Sequence, residues 1–153
     1  MDRDASARLR VRPRALAARA PDPSTLARLS LGAMVLLAGV HKLLDPAAWA
    51  AYVTDWLEPW LVVSPVAFML LNGILEVGFG AAILADRYTA FAAAVAAVSL
   101  TATCGYLALA FLLDGAFGDV LARDVGLAGL AWAVLVDALR GETAGVDTEL
   151  SRR

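Results

Sequence analysis

Glu76 stands in the stretch NGILEVGFG, with Asn72 four residues before it. That spacing puts an amide and a carboxylate on one face of a helix, where they can accept a proton or hold a hydrogen-bonding head. Lys42 follows His41 near the end of LLAGVHKLLDP, and Arg123 precedes Asp124 in ARDVGLAGL. Two acids, two bases and an amide are the groups from which a ligand site or a proton path is most readily built. Thr101, Thr103, Cys104 and His41 are secondary candidates. The competing reading is structural, because polar side chains also tie membrane helices together. The pairing stays open at this stage: Asp124 can face Lys42, or Arg123 can lie opposite Glu76.

Other chemistries are excluded or weak. Cys104 is the only cysteine, which rules out an intrachain disulfide, a CxxC redox pair or a multi-cysteine metal site, and it reads as a small apolar residue. His41 is the only histidine and reads as a boundary residue, so no metal is expected. No P-loop, GxGxxG, HExxH or GxSxG pattern occurs, and no basic-aromatic pattern points to nucleic acid.

The elements that must carry these groups follow from composition. Of 153 residues 60% are hydrophobic, with a mean hydropathy of +0.68, well above the roughly 45–50% apolar share of a soluble domain. Apolar runs extend over Leu26–Leu44, Pro65–Leu84, Tyr88–Leu113 and Val120–Leu139. Each is long enough to cross about 30 Å of hydrocarbon at 1.5 Å per residue. The short connections make neighbours antiparallel. The expected fold is all-α, an integral membrane four-helix up-down bundle. Between spans 1 and 2, Asp45 and Pro46 are helix start signals, and Trp49, Tyr52, Trp56 and Trp60 recur at spacings of three and four. A short interfacial helix is expected there.

The domain reading is a basic flexible tail over 1–25, a four-span domain over 26–139 and a polar tail over 140–153. The arginine-rich leader lacks a small-residue cleavage site after the first apolar run, so that run is read as a retained anchor. All but Lys42 and Arg123 of the 13 basic residues fall on one side of this topology. The positive-inside rule then puts both termini in the cytoplasm of a multi-pass cell-membrane protein. Glu76, about 11 residues into its span, lies about 16 Å deep, where a glutamate stem cannot reach water and a charge needs a partner. Most other ionisable groups gather in the outer half, which predicts an outward-opening polar pocket. Gly32 and Gly39, Gly73 and Gly80, and Gly126 and Gly129 are read as close-packing positions.

Taken together, ARLSLGAMVLLAGVHKLLDPAAW, NGILEVGFGAAILADRYTAFAA and ARDVGLAGLAWAVLVDAL resemble the DoxX/DoxD-like family over Leu26 to Leu139. The features that carry the likeness are Arg28, the run Gly39, Lys42, Leu43, Asp45 and Pro46, then Glu76 with Gly78 and Gly80, and the pair Arg123 and Asp124. The resemblance implies a small four-helix membrane protein that often accompanies oxidoreductases. One branch is similar to a subunit of thiosulfate:quinone oxidoreductase, and related proteins accompany methylamine-oxidising or thiol-stress systems. The lone cysteine departs from relatives that work through cysteine pairs. The expectation is an accessory or quinone-facing subunit of a membrane redox system, with no intrinsic cofactor and quinone as the ligand. Glu76, Asn72, Lys42, Arg123 and Asp124 would line its pocket. The expected partners are the lipid bilayer and either redox-enzyme subunits or further copies of the chain. A non-catalytic scaffold or a small-solute or lipid-binding carrier is the alternative.

Overall fold

The structure, a computed structural model, describes residues 20–150, with side chains as far as residue 143. Most of the basic tail expected over residues 1–25 lies outside the described residues, as do Arg152 and Arg153. Five helices follow in order: α1 (Pro23–Leu44), α2 (Pro46–Ala50), α3 (Pro65–Leu84), α4 (Thr89–Asp114) and α5 (Gly118–Leu150), with a 3-10 turn at Glu58–Trp60. No strand occurs among the described residues.

Three of the helices begin in the same way. Asp22, Asp45 and Ser64 each stand before a proline and accept a hydrogen bond from the backbone two or three residues on. The side chain satisfies an orphan amide, and the proline occupies the first turn, where it needs no donor. Because Asp22 caps, α1 starts at Pro23 rather than at Leu26. Pro46 also stops α1, by driving Asp45 out of helical geometry (φ −139°, ψ 72°). At its far end α4 terminates on Gly115, which adopts the left-handed conformation at φ 68°.

One expectation is met in part and another needs correction. Among the described residues α1, α3 and α4 are long and apolar enough to cross a membrane, so three of the four expected spans are shown. In α5 the charged residues Arg123, Asp124 and Asp137 interrupt the apolar run, and the helix continues through the expected polar tail as far as Leu150. The interfacial helix is confined to five residues, so Tyr52, Trp56 and Trp60 do not share a helical face with Trp49. Tyr106 of α4 explains the break. Its hydroxyl donates to the Tyr52 carbonyl at 2.6 Å and accepts from the Thr54 amide at 3.0 Å, tying down backbone that a longer α2 would need. Tyr106→Phe is expected to cost about 1–2 kcal/mol and to speed amide exchange at Thr54. Unchanged exchange there would show that the hydroxyl does not hold the loop.

The helix surfaces show what solvent they suit. Leu37, Ile74, Phe91, Val98 and Leu112 are all more than half exposed, and so much exposed apolar surface is untenable in water. It is the face of a membrane protein, consistent with a multi-pass arrangement.

Inside, α1 lies along α3 and α4 along α5, whereas the two pairs meet far less extensively. Close approach sets the first pair. A Cβ placed at Gly39 would lie 2.7 Å from the Val77 amide nitrogen and 2.8 Å from the Gly73 carbonyl oxygen. Gly126 and Gly129 have nothing within 4 Å among the described residues, so the close-packing role expected of them is not seen there. Arg28 donates to the carbonyls of Ile83 and Leu84 at 2.9 and 3.2 Å, which caps α3, and its Nε lies 3.5 Å from Asp86. The core gathers Leu31 and Val35, Ile83, Ala92, Ala93, Ala96 and Ala97, and Ala131, Val134 and Leu135. It fills the half of the bundle near the α3–α4 connection. In the other half the two pairs part.

Candidate functional site

The space between the parted pairs is a cleft of about 880 Å³, lined by all four long helices. Its lower walls are apolar, formed by Met34, Leu75, Phe79, Val95, Leu100 and Leu127. A second cavity of about 530 Å³ lies toward Tyr52, Val53 and Leu57 of the 45–64 loop. His41, Lys42, Trp49, Asn72, Glu76, Ser99, Thr103, Arg123 and Asp124 line both. The two cavities are therefore one cleft with a polar belt, apolar on one side and roofed by aromatic residues on the other.

Lys42 and Glu76 form the centre of the belt. The glycine contact that brings α1 against α3 sets Lys42 Nζ directly on Glu76 Oε1. Lys42 is buried, and the Glu76 side chain is about a quarter exposed. Removed from water, each charge depends on the other. The ammonium also lies 4.4 Å from the centre of the Trp49 ring, a favourable cation–π placement. Only one carboxylate oxygen is engaged. Glu76 Oε2 is buried and meets no hydrogen-bond donor among the described residues.

On the facing pair, Arg123 Nε binds its own neighbour Asp124 at 2.9 Å, with Asp124 buried and Arg123 largely exposed. That resolves the pairing: Lys42 goes with Glu76 and Arg123 with Asp124. Asn72 shares the cleft-facing side of α3 with Glu76, but its Nδ2 donates to the Phe68 carbonyl at 2.9 Å, one turn back. His41 Nδ1 accepts from Trp49 Nε1 at 2.7 Å. Indole is a donor only, so a neutral His41 ring carries its proton on Nε2.

Thr103 lines the cleft, whereas Thr101 and Cys104 do not. The Thr101 hydroxyl donates to the Ala97 carbonyl at 2.7 Å and accepts from Trp132 Nε1 at 3.0 Å, joining α4 to α5. Among the described residues no three of His, Cys, Asp and Glu are grouped as metal ligands. Sequence reasoning set an aromatic cap over the polar half but named none of its members as a site residue. Trp49 was legible only as an interfacial aromatic, and Ser99 carried no signal at all, because its role depends on which face of α4 meets the gap.

Comparison with known proteins fits this architecture. No curated protein matches the chain, and no solved structure does. The DoxX family model matches residues 24–115, more than half of the 153. The match takes in α1 to α4 with Lys42, Asn72 and Glu76, and stops before α5 and the Arg123–Asp124 pair. On that match, and on the apolar helices just described, the chain is a membrane protein that belongs to the DoxX family.

Proposed function

We propose that the chain is an accessory or quinone-facing subunit of a membrane redox system, and that the cleft binds the head of a lipid-soluble quinone. The carrying observation is the join of a polar belt to an apolar sleeve within one cleft of about 880 Å³, a volume that suits a small-molecule ligand. In this reading α5 is the fourth span, its charged residues Arg123 and Asp124 facing the belt rather than lipid. Arg28, Arg87 and Arg140 lie at the cytoplasmic end with both termini, and the cleft opens outward beneath the 45–64 loop. The ring of the quinone would rest among Lys42, Glu76 and Trp49, and its tail would run between Leu75, Phe79 and Val95. Redox centres belong to the partner enzyme.

The test is gentle detergent extraction, followed by analysis of co-purifying quinone and titration with a short-chain quinone. Bound quinone, or a rise in melting temperature with quenching of tryptophan fluorescence, is the expected result. Absence of all three would remove the quinone reading.

A scaffold or small-solute or lipid-binding carrier is the second reading. It draws on the fact that Lys42, Arg123, Asp124 and Asn72 all spend polar atoms on partners within the chain. Glu76→Gln separates the two. Either reading loses melting temperature because the buried ion pair is broken, but only a ligand site also has quinone binding to lose.

A further inference from the structure

Formal charge in the belt cancels between Lys42 and Glu76 and between Arg123 and Asp124, but the hydrogen-bonding groups a ligand can reach do not balance. Lys42 and Glu76 are spent on one another, and the second Glu76 oxygen is buried. Asp124 is buried against its own arginine. Arg123 is the exception. Its Nε alone is bonded among the described residues, which leaves both terminal nitrogens with their protons uncommitted. The side chain is 59% exposed and lines both parts of the cleft. An untethered arginine in a membrane helix stretches toward the headgroups. This one is held at 2.9 Å by a buried carboxylate, so its planar fork of donors is kept at the cleft.

Across the gap, α1 supplies a further donor. With Nδ1 accepting from Trp49, the neutral His41 ring carries its proton on Nε2, and His41 is exposed and lines the same two cavities. Against these donors stands the Asn72 carbonyl oxygen, while the Ser99 and Thr103 hydroxyls serve either way. Leu37 lies four residues before His41 on α1, and Leu127 four residues after Arg123 on α5; both line the cleft. Because α1 and α5 run in opposite directions, each donor sits one turn nearer the roof than its leucine. An amphiphile entering head first toward the roof would meet them in that order.

We propose that the cleft recognises its ligand as an acceptor, through hydrogen bonds from the terminal nitrogens of Arg123 to an oxygen of the head, while the Lys42–Glu76 pair holds the wall together. For a quinone that oxygen is a ring carbonyl. The identity of the ligand rests on the quinone reading above; the role given to Arg123 is new. A fatty carboxylate offers the same acceptor chemistry, and the balanced charge of the belt favours the uncharged carbonyl.

The experiment is calorimetric titration of the full chain in nanodiscs, against empty nanodiscs, with three probes of one short alkyl chain. They are a benzoquinone, the alkylbenzene that lacks its carbonyl oxygens, and the fatty acid. The quinone should bind at least about tenfold more tightly than the alkylbenzene, in keeping with hydrogen bonds from a charged group. Arg123→Gln should remove most of that difference and leave alkylbenzene binding unchanged. If Asp124 without its partner prevents folding, Arg123→Gln/Asp124→Asn removes both charges and is read in the same way. Quinone affinity that survives in these variants, or that matches the alkylbenzene on the unaltered chain, would overturn recognition by Arg123 and leave the quinone reading standing. Fatty-acid binding that depends on Arg123, with no quinone binding, would support acceptor recognition and overturn the quinone reading. Binding of no probe would overturn both.

Discussion

Lys42→Met is expected to lower the stability of the detergent-solubilised protein by about 3–5 kcal/mol, the range found when one member of a buried ion pair is removed. Methionine keeps the length and apolar stem of lysine, so the loss isolates the charge. What remains is Glu76 in mid-span with neither oxygen partnered, since Oε2 already has no donor among the described residues. The double variant Lys42→Met/Glu76→Leu removes both charges and is expected to recover most of that loss. Thermal unfolding of wild type, the two single variants and the double variant checks this as a cycle. Equal instability of the single Lys42 variant and the double would place the loss in packing around Trp49 instead.

Gly39→Ala is the second large effect. The added methyl would sit 2.7 Å from the Val77 amide nitrogen and 2.8 Å from both the Gly73 oxygen and Glu76 Cβ. Two of these obstacles are backbone and cannot swing aside, so α1 and α3 must separate. A loss of about 2–3 kcal/mol follows, at the upper end for overpacking. Gly126→Ala and Gly129→Ala meet open space and should be neutral or stabilising by up to about 1 kcal/mol through helix propensity. Melting temperatures of the three variants under one condition check the contrast. If all three behave alike, the close approach at Gly39 is not sustained. Because Glu76 is part of the contact, Gly39→Ala should also weaken binding in the cleft.

How far the residues alone foretold this arrangement depends on the range over which each signal acts. The α3 boundaries were readable to the residue because Ser64 and Pro65 open the helix and the apolar run ends just before Asp86 and Arg87. Asn72 and Glu76 share a face by spacing alone, and the structure keeps them together on the cleft. Partner choice was not readable. Lys42 and Glu76 are 34 residues apart, and what joins them is the glycine contact between α1 and α3, one of several crossings the same pattern permits. Aromatic spacing misled over the 45–64 segment, because a hydroxyl from Tyr106, more than 50 residues away, outcompetes local periodicity. Gly126 and Gly129 misled in another way: small residues at regular spacing mark a helix face without saying that anything lies against it.

The connection between α3 and α4 bears on how the protein is made. Only residues 85–88 join the two helices, and Asp86 and Tyr88 both take left-handed backbone, at φ 53° and 54°, to turn the chain within that length. So short a link leaves neither helix free to settle in the bilayer before the other. During synthesis α3 is therefore expected to wait at the insertion machinery until α4 has emerged, the two then partitioning into lipid as a single hairpin. With the orientation proposed above, Asp86 and Arg87 never leave the ribosome's side. Glu76 enters hydrocarbon with Lys42 already in place on the finished α1, so the cost of inserting a bare carboxylate is met by timing as well as by structure.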